Sequence, residues 1–308
     1  MSFSDALEDA VARVGNPCLL GLDPHLDLLP DEFAVARDPN ATRQKRAQAL
    51  AEFCWGLLDV CEGKVACVKP QSAFFEVFGA DGIDAWESVV TRAHEADLLV
   101  IGDVKRSDIA STAAAYATAF LTGVPGGDDV SLCDAITINP YLGDDSVQPF
   151  VDACKTAGKG VFVLVRTSNK GGARFQLAGD PPLAHRVADA VAEWGADLVG
   201  TSGWSSVGAV VGATHPDELA AFRERMPRTP FLLPGYGAQG AGADDVLGAF
   251  PGPGISGGLI NSSRGIAFAY RKDEHRGKHW KDAARDALDA MIADVGGAFE
   301  RRTSAGRA

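Results

Sequence analysis

The chain has 308 residues, 46% hydrophobic and 23% charged, with a formal net charge of -12. That is the balance of an ordinary globular protein, and its acidity excludes non-specific nucleic-acid binding, which draws on basic patches. Neither a basic-then-apolar leader nor an apolar run of membrane-spanning length stands in the sequence, so no membrane role and a cytoplasmic location are expected.

Residues 4–14 have the spacing of a short amphipathic helix, with Ser4 as N-cap and Leu7, Val11 and Val14 on one face. A strand follows at Cys18–Asp23. The polar, proline-punctuated stretch 24–42 reads as a loop insertion, and 43–61 as a helix. Strand-like runs then begin near 65, 98, 134, 160, 197, 230 and 257. Helix-like stretches separate them, at 83–96, 109–121, 145–157, 182–194, 215–225 and 240–249. A last helix is expected at 280–295, and the tail from Arg301 is expected to fray. With the run at 18 there are eight strand–helix units. Alternation of this kind makes a parallel sheet, and eight units in a chain of this length predict a single (β/α)8 TIM barrel over 1–308. A doubly wound open sheet is the alternative. The six cysteines form no C-x-x-C pair and read as buried free thiols of a reducing compartment.

Barrel sites lie at the C-terminal ends of the strands. There the sequence sets Asp23, Lys69, Asp103, Lys105, Thr167-Ser168 and Arg264. The densest stretch is LLVIGDVKRSDIAST, Leu98–Thr112. Side chains two apart share a face of an extended strand, so Asp103 and Lys105 should project together. Asp108 follows at a turn, where it or Ser107 is placed to cap the next helix. The plain alternative is a solvated loop with a local ion pair. In GYGAQGAGADD, Gly235, Gly237 and Gly240 match G-x-G-x-x-G. A dinucleotide site needs an acid at the end of the next strand, and that strand, GGLINSSRG, has none. With Arg264, the loop reads instead as a phosphate cradle with Gln239 at its tip. The segment Thr167–Pro182 is either a lid or a plain surface loop. His275 and His279 read as a solvated helix face and not a metal pair. No G-x-S-x-G elbow is present, and no base stands in register with a cysteine.

The D-x-K-x-x-D run in GDVKRSDIAST resembles the signature of the orotidine 5'-phosphate decarboxylase family. Supporting pieces follow in the family's order: GLDP with Asp23, VKP with Lys69, RTSN with Ser168, PGYGAQG with Gln239 and NSSRGI with Arg264. The resemblance spans roughly residues 17–270, and the KPQSAFFE run after the second strand is similar to the longer bacterial branch (type 2). It implies loss of CO2 from orotidine 5'-monophosphate to give uridine 5'-monophosphate, the last step of pyrimidine synthesis, with no metal or other cofactor. It also implies a homodimer in which Asp108 and Thr112 reach the neighbouring site. By the same resemblance Asp23 and Lys69 hold ribose hydroxyls, Ser168 and Gln239 contact the pyrimidine, Gln239 also reaches the phosphate, and Arg264 binds it.

The residue chemistry agrees. The reaction leaves a carbanion at an sp² carbon with no adjacent carbonyl, and a fixed cation beside it is the natural stabiliser. Lys105 can serve and then deliver the proton. Asp103 and Asp108 would favour its charged form, with Lys69 completing an alternating row. Three rivals stand beside this reading. One is a Mg²⁺-dependent sugar-phosphate lyase on a related barrel. Another is a Schiff-base aldolase using Lys69 or Lys105, which the flanking carboxylates oppose. The third is a non-catalytic barrel that only binds a phosphorylated ligand.

Overall fold

Eight parallel strands close on one another in chain order. They are β1 (Cys18–Leu22), β2 (Cys67–Pro70), β3 (Leu99–Arg106), β4 (Ala135–Ile138), β5 (Gly160–Arg166), β6 (Val207–Val211), β7 (Phe231–Pro234) and β8 (Gly258–Ser262). Around them run α1 (Phe3–Val14), α2 (Arg43–Cys61), α3 (Ala73–Glu76), α4 (Gly79–Glu95), α5 (Ala110–Ala117), α6 (Asp144–Ala157), α7 (Ala173–Gln176), α8 (Leu183–Trp194), α9 (Pro216–Arg225), α10 (Arg264–Ala267) and α11 (Trp280–Ala305). The computed structural model describes residues 1–127, 132–214, 216–237 and 240–305. The barrel is the expected (β/α)8 fold, and the open-sheet alternative is excluded by the β1–β8 pairing, Leu19 against Asn261.

Strand alternation sorts the core into two bodies. Leu20, Val68, Val100, Ile136 and Val163 face outward, into the large cluster shared with the helices. Leu19, Cys67, Ile101, Ala135, Phe162, Val210, Leu232 and Leu259 face inward and pack with Phe3, Leu7, Ala10 and Val11 of α1. The helix α1 therefore plugs the barrel's N-terminal end. Glu8 fastens it by accepting from Ser256 Oγ at 2.5 Å and from Gly257 N at 3.0 Å, just before β8. Phe3 sits so close to the start of β5 that a Cβ on Gly160 would lie 2.2 Å from its ring. With the other end sealed by apolar side chains, the C-terminal mouth is left for polar chemistry.

Several expectations are corrected. Ser2, not Ser4, caps α1 by accepting from Asp5 N at 3.2 Å, while Ser4 is buried against Ser206. The stretch 24–42 is ordered by 3₁₀ turns at Leu26–Leu28 and Asp31–Arg37, and Phe33 is anchored against Phe53 and Trp280. The run at 197 is not a strand: Ala196–Leu198 is a 3₁₀ turn, and the sixth strand is Val207–Val211. Only Leu198 and Val199 are apolar in the first segment, whereas VGAVV offers five consecutive buried positions. The stretch 240–249 holds a 3₁₀ helix, Asp244–Ala249, rather than an α-helix. The tail does not fray at Arg301: α11 runs to Ala305, because Arg302 donates to the carbonyls of Leu247 and Phe250. His275 is buried in a 3₁₀ turn, so the two histidines do not share a solvated helix face. All six cysteines are free and buried. Among the described residues, no helix is long and apolar enough to cross a membrane.

Candidate active site

Two residues beyond the inward apolar layer, the same strands present a second layer: Lys69, Asp103, Thr137, Leu164, Pro234 and Asn261. It points into the barrel mouth because side chains two apart share a face. Asp103 is its hub. Its Oδ2 accepts from Lys69 Nζ at 2.6 Å and from Gln71 Nε2 at 2.9 Å. Its Oδ1 accepts from Lys105 Nζ at 2.5 Å and from Thr137 Oγ1 at 2.9 Å. Four donors thus fix one buried carboxylate.

Lys105 reaches this hub by an unexpected route. It is not extended but left-handed, with φ of 45°, where the β3–β4 register shifts between Gly102 and Arg106. That conformation is uncommon for a residue with a Cβ and costs on the order of 1–3 kcal/mol. The Lys105 N–H donates to Thr137 Oγ1 at 3.0 Å, which ties the bulge to β4. Side-chain exposure separates the two lysines: Lys69 is 7% exposed and Lys105 is 46% exposed. Lys69 serves the carboxylate from below, and Lys105 faces the opening.

Charge balance sets the protonation of the buried pair. Burial alone would raise the Asp103 pKa, but the Lys69 and Lys105 ammoniums outweigh it and hold the carboxyl well below its ordinary value. For Lys69, burial pulls the pKa down, while Asp103 and then Asp23 push harder and leave it raised. Both groups are therefore charged near neutrality.

Lys69, Asp103, Lys105, Thr137 and Ser168 line a cavity of about 220 Å³ over the barrel mouth, walled by Leu164, Val210, Leu232 and Pro234. Asp23 stands just past β1, near enough to bias Lys69. Its Oδ1 is buried without a hydrogen-bond partner, as is Asn261 Oδ1. Two orphaned acceptors at one mouth suit a ligand that brings hydroxyl or amide donors. Arg264 begins α10, exposed and without an ion-pair partner among the described residues.

Other expected residues lie apart. Asp108 does not flank Lys105 in an ion pair: its Oδ1 accepts from Ile109 N at 2.8 Å, and no cation among the described residues meets it. Neither it nor Ser107 provides the side-chain cap of α5, whose N-cap is Ile109. Thr112, on the first turn of α5, lines no part of the cavity. Gly235 and Gly237 take φ of 113° and 71°, so the turn needs glycine. The Gly237 amide, however, donates to Ala241 O at 2.8 Å and is not free to cradle an anion. Gln239 lies outside the described residues. Gln71, Thr137 and Asn261 were missed. Counting in twos from Cys67, Ala135 and Leu259 would have put all three at the mouth.

Comparison with known proteins yields one consistent family. The profile described as "Orotidine 5'-phosphate decarboxylase / HUMPS family" matches residues 31–276. Orotidine 5'-phosphate decarboxylase of Rhodopirellula baltica is 41% identical over 305 residues, covering 96% of this chain and 100% of that one. The Halorubrum lacusprofundi protein of the same name is 41% identical over 276 residues, covering 87% of this chain and 88% of its own. The structure of Leishmania donovani OMP decarboxylase superposes with a TM-score of 0.73 at 34% identity, covering 97% of this chain and 99% of that chain.

Proposed function

The chain belongs to the orotidine 5'-phosphate decarboxylase / HUMPS family, and we propose that Lys105 is the group that makes it a decarboxylase of orotidine 5'-monophosphate. The reaction breaks the bond between pyrimidine C6 and its carboxylate. The electron pair stays on C6, and CO2 leaves. Lys105 then gives C6 a proton and regains one from water, so uridine 5'-monophosphate is the product. The carrying observation is that Lys105 alone of the row is both half-exposed to the cavity and bound to Asp103 at 2.5 Å. An ammonium held beside the nascent carbanion lowers the barrier without reorganising during the reaction. Lys69 and Thr137 hold Asp103, and Asp103 holds Lys105.

The family resemblance extends the same reading to the rest of the substrate. Asp23, with its orphaned Oδ1, and Lys69 receive ribose hydroxyls; Ser168 faces the pyrimidine; Arg264 takes the phosphate. Binding of that distant phosphate supplies energy for orienting the base. A homodimer completes the site through Asp108 and Thr112. Val77, Ile109, Tyr141 and Leu142, which follow β2, β3 and β4 at the same end of the barrel, expose large apolar side chains, Ile109 next to Asp108 in the chain, the kind of surface a second copy covers. A cytoplasmic location fits this role in nucleotide synthesis.

The test is the ultraviolet absorbance change on mixing the purified protein with orotidine 5'-monophosphate in the presence of chelator. Steady loss of substrate with uridine 5'-monophosphate as product is expected. No change from a folded dimer would move the reading to the Mg²⁺-dependent sugar-phosphate lyases.

A further inference from the structure

The bulge that carries Lys105, with its left-handed φ of 45°, is held from two flanks by different means. Toward β4 its own backbone makes the bonds. The Lys105 N–H donates to Thr137 Oγ1 at 3.0 Å, and the Arg106 carbonyl accepts from Asn139 N at 3.0 Å. Toward β2 the pairing reaches only to Asp103, which stands opposite Gln71 and whose carbonyl accepts from Ser72 N at 3.4 Å. Past Asp103 that flank is bridged by the Arg106 side chain.

Arg106 Nη1 donates to Val104 O at 3.0 Å, and Nη2 donates to Glu76 Oε1 at 2.6 Å. The first bond spans Lys105, since it joins the residue after it to the residue before it. The second ties the bulge to α3, the short helix that follows β2. That helix is a firm anchor: Phe75 is fully buried, and a Cβ on Gly82 of α4 would lie 1.8 Å from Phe75 O. The guanidinium carbon stands 5.5 Å from the Tyr116 ring centroid and 5.2 Å from that of Phe120, so α5 and the turn after it confine it as well. Burial acts to raise the Glu76 pKa, but hydrogen bonds from Arg106 and Ser72 outweigh it and leave the carboxyl below its ordinary value. The fork therefore meets an anion. A planar guanidinium holds two acceptors in fixed relation, which a single ammonium cannot do.

A left-handed φ at a residue with a Cβ persists only where the surroundings over-determine it. Glycine would adopt it freely, but this position has to carry an ammonium. Bulges beside active sites re-aim a side chain, and this one sets Lys105 Nζ 2.5 Å from Asp103 Oδ1. We propose that Arg106 is a positioning residue for Lys105: its fork, seated on Glu76, holds the bulge in the turn that points the ammonium at Asp103 and the cavity. This rests on the reading of Lys105 as proton donor. Arg106 lines no part of the cavity, so its loss should slow the chemical step and spare nucleotide binding.

The experiment measures kcat for orotidine 5'-monophosphate and the inhibition constant for uridine 5'-monophosphate in the full-length wild type and its variants. Arg106→Met should lower kcat by about ten- to hundredfold, the scale on which a small misplacement of a reacting group acts, and leave the inhibition constant within about twofold. Arg106→Lys keeps the charge but not the fork, and it should not restore turnover. Glu76→Ala should lower kcat in the same way, and adding it to Arg106→Met should cost nothing further. Glu76→Gln keeps an accepting oxygen and should recover most of what Glu76→Ala loses. Equal losses of turnover and nucleotide affinity would reduce the brace to general structure and overturn the proposal. Wild-type turnover in Arg106→Met or in Arg106→Lys would overturn it too. Should Arg106→Met not fold, Glu76→Ala and Glu76→Gln decide alone: a fall in kcat in the first, reversed in the second, upholds the brace, and unchanged kcat in the first defeats it. A wild type that does not turn over orotidine 5'-monophosphate defeats the proposed function itself; an active wild type with an unaffected Arg106→Met defeats only the brace.

Discussion

Lys69 Nζ and Asp103 Oδ2 stand 2.6 Å apart with both side chains buried, and every lone-pair direction that Asp103 offers is taken by a donor. The pair is a fixed support beneath the cavity. Lys105, on the other carboxylate oxygen, is the exposed and reachable member. A buried ion pair of this kind contributes little net stability by itself but is costly to break from one side.

Replacing Asp103 by Asn should therefore lower unfolding stability by about 3–5 kcal/mol, because the Lys69 ammonium is left without its counter-charge. It should also cost turnover by 10²-fold or more, since Lys105 loses its anchor. Urea unfolding and initial rates measure the two effects on one preparation. A variant with wild-type stability would show that Lys69 finds another partner.

Lys105→Ala should behave differently. The side chain is half-exposed, so its removal should change stability by no more than about 1 kcal/mol. The left-handed φ remains with Ala, and that residual strain is common to both proteins. Turnover should fall below detection while the inhibition constant for uridine 5'-monophosphate changes far less. Retention of most activity would remove Lys105 as the proton donor.

The pH profile of stability follows from the buried pair. The Asp103 pKa is held below its ordinary 3.8 in the folded protein, so its stabilisation is complete above that value and is lost as pH falls through the folded pKa. The Lys69 pKa is raised above its ordinary 10.5, so its share is complete below 10.5 and is lost as pH rises through the folded pKa. Stability from this pair should be flat between the two and decline outside them. Asp103→Asn should shed the acid decline that belongs to Asp103. Urea midpoints of both proteins across pH would check it, and parallel acid limbs would place the decline on other carboxylates.

How far the site could be read from the chain depends on the kind of interaction. Asp103 and Lys69 were legible because each ends a continuous apolar run, and a charge at such a position must be paired. Thr137 and Asn261 occupy the same inward layer as these two, and Gln71 the next inward position after Lys69, yet neutral polar residues at strand ends carry no such signal. The bulge at Lys105 was not legible: it depends on Thr137, 32 residues away, taking up the Lys105 amide. The same limit explains the misplaced sixth strand, since the choice between 197 and Val207–Val211 is made by pairing with β5. The Gly235–Gly237 pattern correctly marked a turn, but only the structure reveals that Ala241 already occupies the Gly237 amide.

Asp108 supplies the sharpest test of the dimer. In one protomer it meets no cation among the described residues, yet it stands beside the exposed Ile109 on the loop that follows β3. If it completes the neighbouring site, Lys105→Ala and Asp108→Ala should each be inactive alone and complement each other when mixed. After dissociation and random reassociation, half of the dimers carry one copy of each. In such a dimer one site has both defects, and the other has an intact Lys105 and an intact Asp108. About a quarter of wild-type activity should return, on the statistics of a two-fold dimer. Recovery would establish that the two residues act from different subunits. If both variants are inactive alone and stay inactive after verified subunit exchange, Asp108 acts within its own protomer, and the apolar surface around Ile109 requires another occupant.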